Sequence, residues 1–330
     1  MTTQRKLRAW IRLSLCRSVG ATTWNRWLAE LDAGGLTLEG FFDLPEYQAR
    51  RFLNNQPTIA RSLRRDAASA DLLDQIAGQL ERERIRLIAI NDSNYPERLL
   101  NDLGFDAPTF LYVCGRLGHL RSPTVAMVGT RSPSPQGLES ARAYADALAR
   151  EGIHIVSGHA RGIDVASHEG ALAAGGSTTL VLPCGIFAFQ SAPTLRPLMT
   201  HDNALILSQF PPNAATTRYS PPHRNTTMAG LADGVIVVET RLTGGPSYTF
   251  REARRLRKPL WTILYPEPVP PSASGNHSLL SAGAEALEPG EAGAERCAGD
   301  VAQCLRAVHA HRPTFAVWPP PESPGQEELF

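Results

Sequence analysis

Two textures of hydrophobic spacing divide this chain. Up to about residue 84 apolar side chains fall at helical intervals, with Leu7, Ile11 and Leu15 on one segment and Trp24, Trp27 and Leu28 on the next. The small-residue turn Val19-Gly20-Ala21 separates the two. That spacing fits a helix-hairpin-helix, whose turn amides face a phosphate, and equally a small bundle that only packs. A further helical segment carries Arg61, Arg64 and Arg65, a pattern usual for a solvated face.

From residue 85 the pattern changes to short apolar runs at 85–90, 110–115, 125–129, 153–158, 178–184, 204–210, 234–240 and 259–264, with helical stretches between them. Most are continuously apolar, as strands covered on both faces of a parallel sheet must be. The pattern predicts an α/β, doubly wound, Rossmann-like and mostly parallel sheet over 85–290, preceded by a small helical domain over 1–84. A short helix around 302–309 and a Pro-rich, extended tail complete the division, which assigns 291–330 to the C-terminal segment.

Composition changes the picture little. Hydrophobic residues make up 42% and charged ones 20%, and the formal net charge is only +1, so attraction to a polyanion has to come from a local patch. The five cysteines are scattered and lack metal-ligand spacing, which predicts reduced thiols, no metal and no cofactor. No run approaches the ~20 apolar residues that span a bilayer, and arginines interrupt the first apolar stretch, so a cytoplasmic protein without membrane contact is expected.

Ligands of doubly wound sheets bind at the carboxyl ends of strands, and two turns there carry candidate chemistry. In the first, a strand ends at Gly129 and is followed by Thr130, Arg131 and the pair Ser134-Pro135, an N-cap and a first helical residue. In the second, Ser157-Gly158 leads through Arg161 and Gly162 to Asp164 in the first turn of a helix. Glycines permit close backbone approach, arginines pair with phosphate, and exposed helix-start amides attract anions. His168 shares a helix face with Asp164 and reads as structural. Neither turn contains GxGxxG or GxxxxGK[ST], so the signatures of dinucleotide binding and ATP hydrolysis are missing.

Taken together, VGTR at 128–131 and SGHARGIDVASHEGAL at 157–172 resemble the signature of the DprA/Smf proteins. The lead-in segments IAINDSNYP at 88–96 and PTFLYVCG at 108–115 agree, as do SQFPP at 208–212, HRN at 223–225 and LADG at 231–234. The resemblance covers roughly residues 85–285. It implies a Rossmann domain that holds single-stranded DNA, protects it and loads the RecA recombinase in natural transformation, as a homodimer and without catalysis. On this reading Arg218, Arg224 and Asn225 join Gly129, Thr130, Arg131, Ser157, Gly158, Arg161, Gly162 and Asp164 at the DNA.

The chain departs from the family pattern in several places. Ile186 to Pro193 replace an acidic residue followed by Tyr-Pro. Pro221-Pro222 stand where an aromatic-proline pair is common, with Tyr219 nearby, and Thr226 replaces a second arginine. Arg251, Arg254, Arg255 and Lys258 recur at i, i+3, i+4 and i+7 and predict a basic stripe on one helix face. The final QEELF, with Gln326, Leu329 and Phe330, resembles the peptide that docks on the bacterial β sliding clamp. Two other readings remain open here. One is a phosphoribohydrolase-like enzyme acting on nucleotides through Asp164, His168 or Glu239; the other is a degenerate relative acting through protein contacts.

Overall fold

The computed structural model describes residues 2–16, 18–53, 56–241, 245–312 and 318–320. Six helices open the chain: α1 (Thr2–Ser14), α2 (Ala21–Ala33), α3 (Leu38–Phe42), α4 (Glu46–Leu53), α5 (Pro57–Arg65) and α6 (Ala70–Arg82). The helical periodicity of the first segments reflects burial: Trp10, Ile11, Leu13, Trp24, Trp27 and Leu31 are almost fully enclosed. Arg61, Arg64 and Arg65 of α5 are exposed, as a solvated face requires.

Nine strands then build one sheet among the described residues: β1 (Arg86–Ala89), β2 (Phe110–Gly115), β3 (Thr124–Val128), β4 (His154–Ser157), β5 (Thr178–Val181), β6 (Ala204–Ser208), β7 (Gly234–Val237), β8 (Leu260–Ile263) and β9 (Glu285–Leu287). Their order is β1-β2-β6-β5-β4-β3-β7-β8-β9. The strands from β3 onward pair in parallel, while β1 and β2 add antiparallel edges. The chain winds outward from β3 through β4, β5 and β6, then returns to place β7 on the other side of β3. That reversal makes the β3/β7 boundary the switch point of the sheet.

Alternation along each strand feeds two cores. Val125 and Met127 of β3 point into a cluster with Tyr144 and Leu148 of α8 (Pro135–Arg150) and with α13 (Gly290–Ala310). Ala126 and Val128 point the other way, toward α10 (Ser220–Leu231), α11 (Gly245–Arg255) and, in the same continuous core, the N-terminal helices. The helical segment is bolted to the sheet by polar contacts as well: the Ser14 and Tyr112 hydroxyls lie 2.7 Å apart, and Asn25 donates to the carbonyls of Phe105 and Ala107.

Two expectations change. The eight strands anticipated are joined by β9. The helix expected near 302–309 begins at Gly290, and its face of Ala294, Ala298, Val301, Ala302 and Leu305 belongs to the core of the sheet. Residues 290–310 are therefore part of the α/β body, and not of a separate tail.

Candidate nucleic-acid interface

The turn after β3 is shaped from both sides. Ser134 caps α8, its hydroxyl accepting from the Gly137 N–H at 2.9 Å, with Pro135 as the first helical residue. Glu239, fully buried just beyond β7, accepts from the Ser134 N–H at 2.9 Å and from its hydroxyl, while its own carbonyl accepts from the Thr130 N–H at 2.9 Å. Gly129 to Arg131 are thereby held against the switch point.

The second turn meets the first there. Asp164, at the start of α9 (Ile163–Ala173), accepts from the Ala160 N–H at 3.3 Å and faces Arg224 of α10 at 3.5 Å. Gly158 allows this approach: a Cβ at that position would lie 1.3 Å from the Arg224 guanidinium. Gly162 adopts φ +93, where only glycine is unstrained, and backs onto the Thr130 carbonyl. Burial pushes the Asp164 carboxyl up despite Arg224, and burial pulls Arg224 down, with Arg131 adding to the effect. Among the described residues the buried Nε of Arg224 has no hydrogen-bond partner.

Above it opens a cleft of about 300 Å³, lined by Thr130, Arg131, Arg224, Asn225, Arg241 and Thr249 among others. Asn225 is fixed by donating to the Gly245 carbonyl at 3.0 Å. A second cleft of about 550 Å³ shares Arg131 and continues past Arg161, Gly162, His159 and Arg142. Arg161 also donates to the Arg131 carbonyl at 3.3 Å. The two clefts meet at Arg131, with Arg224 and Arg241 lining one and Arg161 and Arg142 the other, an arrangement that suits a chain of phosphates.

The other candidates fall elsewhere. Ser157 is fully buried and donates to the Met127 carbonyl at 2.6 Å, so it ties β4 to β3 without reaching the cleft. Arg218 is exposed and lies over the ring of Tyr219, 4.6 Å from its centroid. Arg251 does the same over Tyr248 at 4.3 Å. These tyrosines are 60% and 47% exposed and stand two residues from Pro221 and Pro246, which line the cleft. The basic stripe is shorter than its periodicity predicted, because α11 ends at Arg255 and Arg257 takes φ +54. Lys258 consequently turns inward, buried against Asp102 at 2.7 Å. Arg254 is exposed, while Arg255 pairs with Glu252. Gln326, Leu329 and Phe330 lie outside the described residues. Arg241, Thr249 and the bracing role of Glu239 were not anticipated, because each depends on which strand ends become neighbours.

The three acid–base candidates are already engaged. The His168 ring is fully buried, donating from Nε2 to the Gly158 carbonyl at 2.5 Å, with Nδ1 2.7 Å from the Thr178 hydroxyl. Burial pulls it down to about 3. Asp164 is occupied by Arg224, and Glu239 by Ser134. Among the described residues no group of His, Cys, Asp or Glu is placed to hold a metal ion, and no helix is long and apolar enough to cross a membrane.

Residues 86–297 match the sequence profile of DNA recombination-mediator protein A. The chain belongs to this family. Among curated relatives, the chain is 34% identical over 214 residues to the DNA processing protein DprA of Streptococcus pneumoniae, covering 64% of the chain and 74% of that protein. It is likewise 34% identical over 209 residues to protein Smf of Escherichia coli, covering 62% of the chain and about half (54%) of the relative. Solved structures agree with the fold. That of Streptococcus pneumoniae DprA superposes with a TM-score of 0.69 at 25% identity, covering 84% of this chain and 93% of the other. DNA processing protein A from Helicobacter pylori, described by its single-stranded DNA binding mode, gives 0.56 at 25% identity, covering 67% and 96%.

Proposed function

We propose that this protein is a non-enzymatic single-stranded DNA-binding mediator of recombination, with the backbone phosphates seated in the paired clefts at the switch point. The observation that carries this reading is the convergence of Arg131, Arg224, Thr130 and Asn225 on one cleft, where two guanidiniums face the single carboxylate of Asp164 and the Arg224 Nε has no hydrogen-bond partner among the described residues. A phosphate arriving there supplies a second negative charge. Arg161 extends the track, and Tyr219 and Tyr248 offer exposed rings on which bases stack, each worth ~1–3 kcal/mol. A single strand exposes its bases for such stacking, whereas a duplex does not.

In the cell this binding would serve to protect incoming DNA and load RecA during natural transformation, in the cytoplasm and as a homodimer, with QEELF at 326–330 docking on the β sliding clamp. These roles rest on family membership and on the sequence of the tail.

The test is fluorescence anisotropy with a labelled 60-nucleotide strand against the matching duplex. Hydrogen bonds to charged groups contribute ~1.5–3 kcal/mol, so Arg131→Ala is expected to weaken strand binding by more than tenfold. Equal affinity of wild type for strand and duplex, or unchanged affinity in Arg131→Ala, would remove this reading of the cleft.

A further inference from the structure

At the opposite end of the sheet, where β3 begins and β2 ends, lies a cavity of about 650 Å³ with a different cationic lining. Arg86, Arg116 and Arg121 stand exposed at its rim and make no ion pair among the described residues. Arg98 and Arg312 form part of its wall above a buried network. There Asp233 meets Arg98 at 3.1 Å and Arg312 at 2.8 Å, while Asp102 meets Lys258 at 2.7 Å and Arg312 at 3.4 Å. Among the described residues two carboxylates thus serve three cations. Among those residues the lining adds only Glu97 and Asp202 as acids, so positive charge is in surplus both at the rim and beneath it.

That surplus sits in a costly place. Burial first, with Arg312 adding to it, holds Arg98 down to about 10 and Lys258 down to about 8. An anion in the cavity would relieve both. Guanidinium forks match phosphate oxygens in geometry as well as charge. Pro96, Leu117 and Leu120 line the same cavity and give an apolar surface for a sugar or base, and the volume falls within the ~300–1,000 Å³ of small-ligand sites.

We propose that this cavity is a second phosphate site, taking one nucleotide unit at the far end of the sheet from the strand-binding clefts. The unit is either a free nucleotide or a nucleotide of a strand long enough to wrap around the domain. The proposal uses none of the residues of the first site.

The experiment compares wild type, Arg131→Ala and the double variant Arg116→Ala/Arg121→Ala. Both rim arginines are exposed and make no ion pair among the described residues, so the double variant is expected to melt at the wild-type temperature. Calorimetric titration with AMP reads the free-nucleotide arm. AMP binding that survives in Arg131→Ala and weakens at least tenfold in the double variant supports the site. Anisotropy with 6- and 60-nucleotide oligothymidylates reads the strand arm, where a several-fold loss in the double variant for the long strand alone supports it. Unchanged binding of AMP and of both strands in the double variant, or AMP binding lost in Arg131→Ala, overturns the proposal. A failure of the first-site reading would show instead as short-strand binding unchanged in Arg131→Ala, so the two results are separable.

Discussion

The side chain of His168 is enclosed at the base of the second turn, where a charged ring has no counter-ion. Its folded pKa is about 3 against an ordinary 6.5, chiefly through burial. The unfolded chain therefore takes up a proton between these values and the native protein does not. Stability from this group is complete above pH 6.5 and is lost as pH falls toward 3, at about 1.4 kcal/mol per pH unit. His154, buried beneath His119 and shifted downward mainly by burial, acts in the same direction. Urea unfolding of wild type between pH 7 and 5 should give a falling free energy, and His168→Gln should flatten that slope. An identical slope in the variant would show that His168 does not drive the loss. The same residue illustrates what sequence spacing can convey: an i,i+4 partner of Asp164 was legible, but its enclosure between Gly158 and Thr178 depends on β5 lying beside β4.

Strand-to-helix connections were the most legible elements, because their signals are local. Ser134-Pro135 announced the start of α8, and the glycines announced where backbone approaches closely. Features that depend on where an element stops were misread. The arginine period of α11 continues in sequence past Arg255, but the backbone turns at Arg257 and carries Lys258 into the interior. β9 offered only Glu285, Ala286 and Leu287, with Leu287 alone buried, too short for periodicity to register. α13 does repeat at i, i+4, i+7, i+8 and i+11, but mostly with alanine, whose small apolar surface hides the pattern. The cap at α8 carries a prediction of its own. Ser134→Ala removes the acceptor for the Gly137 N–H and one donor to the buried Glu239, and should lower stability by ~1–2 kcal/mol in urea unfolding. An unchanged transition midpoint would mean that Glu239 is braced without it.

For the whole molecule, a net charge of +1 offers almost no long-range field, so any affinity for DNA must be local. A five-residue strand such as β3 separates the two ends of the sheet by ~16 Å, about twice the ~8 Å screening length at physiological salt. Charges at the Arg98–Asp233 end therefore contribute little to the field at the switch point, and the acidic residues distributed over the rest of the surface do not cancel it. For a strand too short to reach the far end of the sheet, the affinity should accordingly depend on salt through the few arginines of the clefts alone. For single strands the logarithm of affinity falls with that of salt at about 0.7 per phosphate neutralised, so a track of three or four arginines predicts a slope of ~2–3. Arg131→Ala should reduce the slope by about 0.7 as well as the affinity, because it removes one counter-ion exchange. Anisotropy titrations across a salt series measure both quantities. A lost affinity with the slope intact would mean that Arg131 supports the turn's shape instead of meeting a phosphate, and would shift the contact to Arg224 and Arg161.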